Sequence, residues 1–364
     1  LKNYKRDYFN PEDSGIGFLA GVAVPQLVLL LLAIVVIVVA SAAGVEYEEL
    51  SKTTTVTYIA MALSEASFFL VYLVLFKYRK VEGIGAAGLK KGINLKSIPI
   101  IICLGIVLTL FFSPIVSVID HLISLTGYQL SSELTLPLSS FWQYLLAVVL
   151  MVALPAFCEE VLFRGVVLNG LRRFGMWPAI LISALFFMLM HANIQQTVYT
   201  FFLGVVLGFV VYKTKSLWAG IIIHFINNFM VVTSMYFAKL GWLDSSTPTI
   251  DGAFIAYAFG ACAIGGGLVW LGMYLLNKFN KNNNSGNIIE NMAEASVVDT
   301  MAVTAESPSP NLAPATKDRS KTEVAEAKIP LKELFNSKLC VILMAAGLGL
   351  AVFMWVLDFV SKLS

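Results

Sequence analysis

Charge is scarce in this chain. Only 13% of its 364 residues are Asp, Glu, Lys or Arg, against about a quarter in soluble domains. The net formal charge is +2, which leaves no case for a nucleic-acid partner. Histidine is rarer still, at three residues. The four cysteines, Cys103, Cys158, Cys262 and Cys340, form no CxxC pair. They read as buried thiols and imply neither a disulfide framework nor a sulfur zinc site. An HExxH zinc motif is missing too. No cleavable signal peptide is expected, because the first apolar run begins near Gly15 and is too long for one.

What fills the chain instead is apolar. Hydrophobic residues make up 58%, and mean hydropathy is +0.80. Runs of about 20 apolar residues recur, the length that crosses a bilayer as helix. The expected fold is an all-α polytopic membrane helix bundle of about nine transmembrane helices. They fall near 16–43, 55–76, 98–118, 140–160, 177–193, 196–212, 217–237, 253–276 and 339–360. The fourth continues as helix to about Arg172, and a short turn around "NIQQ" joins the fifth to the sixth. Residues 1–277 form the eight-helix core and 278–337 a flexible cytoplasmic linker rich in Asn, Ser and Pro. Residues 338–364 carry the last helix.

Basic residues assign the sides. Lys2, Lys5 and Arg6, the group from Lys77 to Lys96, Arg172 with Arg173, Lys213 with Lys215, and Lys278 with Lys281 alternate consistently with the spans. The opposite loops are poor in Lys and Arg, with Lys52 and Lys239 as exceptions. This pattern puts the N-terminus in the cytoplasm and the C-terminus on the other side.

Against that background a few polar residues stand out, because an ionisable group inside a span costs about 2.5–3.5 kcal/mol on insertion scales. They are Glu65, Glu159, Glu160, Arg164, His191, His224, Asn227 and Asn228. His121, the third histidine, falls in an outer loop. Glu160 and Arg164 are four apart, the spacing of a helical ion pair. Glu159 points about 100° away from Glu160, so one acid can be held while the other handles protons. His224 and Asn228 also share a helix face. Each of these taken alone reads more readily as a polar contact between helices. Together, acids, imidazoles and an amide from the fourth, fifth and seventh spans are groups that activate water and stabilise an oxyanion. Depths along the helices agree for Glu159 and His191, at about 20 and 21 Å from the basic side. His224, at about 12 Å, is shallower.

The stretches "EEVLFR", "FFMLMH" and "HFINN" resemble the EExxxR, FxxxH and HxxxN motifs of the CPBP (Abi) family. This family comprises CAAX-protease and bacteriocin-processing intramembrane peptidases and includes the type II CAAX prenyl endopeptidases. The motifs occur in the family's order and lie in residues 140–235. The resemblance implies a catalytic chamber open to the cytosol and hydrolysis of a peptide bond in a peptide or lipidated-protein substrate at the membrane lipid. It casts Glu159 as the base that activates water and His191 as a group that holds that water. His224 and Asn228 become oxyanion donors, with Glu160 and Arg164 as the orienting pair. Asn227 has no motif role and is left as packing. Glu65 reads as a hydrogen-bonded or protonated acid, or as a further partner for Arg164. Zn2+ on His191, His224 and Glu159 is a possible cofactor, although a glutamate–histidine mechanism needs none. Two other functions stay open: a non-catalytic scaffold or immunity-type protein of the same family, and a proton-coupled transporter using Glu65 and Glu159. The pattern Gly204/Gly208 is expected to serve internal packing.

Overall fold

The computed structural model describes residues 8–81, 85, 87–130, 138–244, 248–281 and 337–363. Lys2, Lys5, Arg6 and nearly all of the expected linker lie outside these residues. Every element named below is helical. Helix α1 spans Pro11–Ala43, α2 Tyr47–Ser51, α3 Thr54–Tyr78 and α4 Ile98–Ser124. The long α5 runs Phe141–Phe174. It is followed by α6 (Met176–Met190), α7 (Ile194–Thr214), α8 (Leu217–Lys239), α9 (Gly252–Lys281) and α10 (Lys338–Ser361).

Eight of these helices are long and apolar enough to cross a membrane. The expected fifth span is the exception: α6 has only 15 residues, about 22 Å of helix. It stops before His191, which caps its C-terminus, so this histidine sits in a turn rather than within a span. The turn is His191–Asn193, and the "NIQQ" glutamines already belong to α7. Asn193 ends the turn by capping α7, accepting from the Gln195 amide at 2.9 Å. The first helix starts five residues before the expected span, at Pro11. There the Asn10 and Asp13 side chains each accept the other's backbone N–H at 2.9 Å, a reciprocal cap. His121 lies in the last turn of α4 rather than beyond it.

Helix α5 is the axis of the bundle. Its most apolar stretch is 56% buried, against 17% for α1 and α10. Two of its segments, Val148–Ala153 and Phe163–Leu168, are π-helical. Pro155 follows the first. Its missing N–H is the usual helical partner of the Met151 carbonyl, and Asn228 Nδ2 donates to that oxygen at 3.2 Å. In the second segment the Phe163 carbonyl accepts from Ser183 Oγ at 3.1 Å, and the Val167 carbonyl from Ser14 Oγ at 3.0 Å. Wide turns expose carbonyls, and a bilayer offers no water to satisfy them. Side chains of α8, α6 and α1 supply the donors, which ties three helices to the axis.

The depth mismatch of His224 has a structural cause. Helix α8 starts inside the protein: Ser216 and Leu217 are fully buried beneath residues 88–91. The Leu217 N–H donates to the Gly88 carbonyl at 3.2 Å, Ser216 Oγ to Lys91 O at 2.6 Å and Trp218 Nε1 to Leu89 O at 2.9 Å. Gly88 makes this turn at φ +82°. Basic side chains do gather at this end, where burial and repulsion from Lys215 and Arg172 hold the Lys91 ammonium below the usual lysine range. Arg79 bonds Asp13 and Glu12 at 2.5 and 3.1 Å, joining α3 to α1 there.

The expectation of four buried thiols fails in part. Cys158 and Cys340 are buried, Cys262 is half-buried and Cys103 is exposed. A uniformly apolar run does not reveal which of its faces meets lipid and which meets protein. Gly204 and Gly208 do serve internal packing: a Cβ on them would stand 3.1 Å from Ala184 and 3.2 Å from Ile180.

Candidate active site

Helix α5 presents Glu159, Glu160 and Arg164, and all three are buried. Glu160 Oε1 accepts from Arg164 at 2.5 Å, with both side chains fully shielded. The guanidinium also donates to the Gly204 carbonyl on α7 at 3.3 Å and lies over the Phe187 ring of α6, 4.3 Å from its centroid. The spacing of four within one helix brings the pair together, and burial makes each charge depend on the other.

His224 of α8 joins both acids. Its Nδ1 is 3.3 Å from Glu160 Oε1, and its Nε2 faces Glu159 Oε2 at 3.9 Å. This close approach depends on Gly220, one turn earlier. A Cβ there would stand 2.7 Å from Glu160 Oε2, so glycine admits the carboxylate between α5 and α8. Glu159 Oε2 and Glu160 Oε2 are buried and have no hydrogen-bond partner among the described residues.

His191 donates from Nδ1 to the Phe187 carbonyl at 2.8 Å, leaving Nε2 as the free ring nitrogen. Phe187 also touches both imidazoles edge to face, with centroids 4.8 Å from His191 and 5.9 Å from His224. One phenyl ring therefore packs against the arginine and both histidines. The turn after His191 is tight: Ala192 adopts φ +47°, a left-handed conformation that non-glycine residues avoid.

Asn228 is committed to the Met151 carbonyl, and its Oδ1 accepts from Asn227 Nδ2 at 3.0 Å. Asn227, left as packing from sequence, is a buried polar junction. Its Oδ1 accepts from Thr109 at 3.1 Å and from the Tyr199 hydroxyl, linking α4, α7 and α8. Glu65 of α3 does not reach for Arg164, whose acidic neighbours are Glu160 and Glu159. Its carboxyl lies within electrostatic reach of Glu159 and Cys158 instead.

Among the described residues, no three His, Cys, Asp or Glu side chains are arranged to hold a metal ion. His191, His224 and Glu159, the candidate zinc ligands, are not grouped as such a set among them. Nδ1 of one imidazole faces the Phe187 carbonyl and Nδ1 of the other faces Glu160. Sequence reasoning gave no role to Phe187, the phenylalanine of FxxxH, and missed Gly220, Tyr199 and Thr109. Of these three, Gly220, spaced four before His224, was the one with a signal in the sequence.

Residues 141–230 match the family model described as Type II CAAX prenyl endopeptidase Rce1-like. The match spans the three motifs and about a quarter of the chain. No curated protein and no solved structure matches the chain.

Proposed function

We propose that this multi-pass membrane protein is an intramembrane endopeptidase that hydrolyses a peptide bond with water activated by Glu159. The observation that carries the reading is the chain of contacts Arg164–Glu160–His224–Glu159, assembled from two helices in a buried site. Glu159 and His224 are too far apart to bond directly, yet close enough for one oxygen atom to be held by both.

In this mechanism a Glu159 oxygen takes a proton from water as the water oxygen bonds to the scissile carbonyl carbon. The carbonyl π pair moves onto oxygen. His224, fixed through Nδ1 by Glu160, presents Nε2. In the imidazolium form that atom carries the N–H a tetrahedral oxyanion needs. His191, with Nδ1 donating to Phe187, has an acceptor at Nε2 that helps orient the water. The intermediate then collapses: the C–N bond breaks, and the proton held by Glu159 passes to the leaving nitrogen. Arg164 keeps Glu160 in place and does not touch substrate. Asn228 offers its second amide hydrogen only while the first stays on Met151. No step runs through a metal ion. On this reading the site opens toward the cytosol, the side to which the distribution of basic residues assigns the N-terminus.

A second reading, a non-catalytic scaffold, is favoured by one fact: Glu160, Arg164, His191 and Asn228 all have internal partners that a purely structural role would also supply. Purified protein given farnesylated and unlipidated peptides separates the two. Cleavage by wild type that disappears in Glu159→Ala and His224→Ala supports the peptidase, and equal inactivity of all three supports the scaffold. Elemental analysis of the active protein, with chelation of the same sample, tests metal dependence. Activity of a metal-free preparation is the expected result.

A further inference from the structure

Helix α10 lies outside the matched segment, and a simple membrane anchor would need no specific contacts. It has several. Near its start, Cys340 Sγ donates to the Pro11 carbonyl at 3.1 Å. Farther along, Gly347 makes room for Phe18 of α1; a Cβ there would stand 2.7 Å from that ring. Phe18 in turn stacks on Phe186 of α6 at 3.7 Å and 5°. At its far end, Asp358 accepts from the Tyr128 hydroxyl at 2.8 Å, and the Lys362 carbonyl accepts from the Gln129 N–H at 2.7 Å.

Between these fixed points sits Trp355. Its indole N–H donates to Thr197 Oγ1 at 2.9 Å, and the Thr197 hydroxyl donates to the Asn193 carbonyl at 2.9 Å. Asn193 closes the turn that holds His191, two residues away, and the residue between them carries the left-handed strain at Ala192. We propose that α10 clamps this turn, and that Trp355 and Thr197 are positioning residues for His191 through the chain indole–hydroxyl–carbonyl. The assignment to catalysis rests on the peptidase reading, whereas the clamp itself does not.

Strain in a short turn persists only where its surroundings over-determine it. The turn's own supports are local: the His191 and Ala192 N–H groups donate to the Met188 and Leu189 carbonyls, each at 3.2 Å, Asn193 caps Gln195, and the His191 ring holds Phe187 O. A donor arriving from another helix adds a tie that the hairpin α6–α7 cannot make alone. The Thr197 hydroxyl serves as acceptor and donor at once, and its partners at both ends are fixed.

The test uses the full chain in nanodiscs, with Trp355→Phe, Thr197→Val and Thr197→Ser. Hydrogen exchange is read on a peptide covering residues 188–197, and turnover on the peptide substrate. Phe and Val are expected to speed exchange in the turn about fivefold, the factor for losing one ordinary hydrogen bond. They lower kcat by a similar factor at unchanged KM. Thr197→Ser retains wild-type exchange and kcat, and the Phe/Val double variant is no worse than either single one. Unchanged exchange in both Phe and Val variants overturns the clamp. Faster exchange with unchanged kcat overturns the positioning role. A wild type that cleaves no peptide, yet shows the exchange pattern, leaves the clamp standing and ends the peptidase reading instead.

Discussion

Helices α5 and α10 both pass as membrane spans by length and hydropathy, yet 56% of one apolar stretch is buried and 17% of the other. Lipid and protein interior are about equally apolar, so apolarity alone does not sort helices within a bilayer. Polar partners do. Helix α5 carries an ion pair, a lone acid and three carbonyls that accept from side chains of other helices. These groups need neighbours on all sides. Helix α10 carries a few, at its ends and at Trp355, and leaves most of its surface to lipid. Burial here follows from where hydrogen bonds must be satisfied.

The sharpest way to break this contrast is Arg164→Ala. It strands the fully buried Glu160 carboxylate, and the expected loss is about 3–5 kcal/mol of stability, with activity abolished. Thermal unfolding in detergent measures it, and a variant that melts like wild type removes the ion pair from the account. Next comes Gly220→Ala. The added Cβ meets Glu160 Oε2 and a Val211 methyl, each at 2.7 Å, and Arg164 prevents the carboxylate from retreating. A cost of about 1–3 kcal/mol is expected, with turnover falling at least as steeply.

Gly347→Ala makes the matched comparison on the outer helix. The clash with Phe18 has the same 2.7 Å spacing, but α10 has lipid behind it and can move outward. Its expected cost is about 1 kcal/mol or less, read in the same melting assay. Equal penalties for the two glycines would mean that α10 is held as rigidly as α5. Smallest of all is Lys52→Ala. It breaks an ion pair to Glu48 whose side chains are 72% and 77% exposed, and the melting temperature should stay within error.

The motif residues show how far the linear chain could be read. Glu160 and Arg164 have the four-residue spacing of a helical ion pair, and they form one. His224 looked too shallow because its depth was counted from Ser216 as though that residue lay at the surface. The loop over α8 is made by residues 88–91, more than a hundred positions away, and no local signal announces it. His191 was placed inside a span because the apolar run from Trp177 leads straight up to it, whereas the helix ends at Met190. Cys103 was counted as buried because its run is apolar all round. Met151 and Asn228 form the clearest case. Pro155 marks a weak point in α5, but only the folded chain shows which side chain repairs it.

By itself the sequence determined that the chain is a bundle of membrane helices, that charge is concentrated at their ends, and that Glu159, Glu160, Arg164 and His224 interrupt long apolar runs. Long apolar runs and the cost of charge in hydrocarbon act locally and leave few alternatives. Tertiary structure decided which face of each helix meets lipid, how deep α8 begins, that Glu65 comes within electrostatic reach of Glu159, and that α10 reaches the turn of His191. Those outcomes depend on which distant carbonyls and side chains must satisfy one another where water is absent, a condition set only once the helices have assembled.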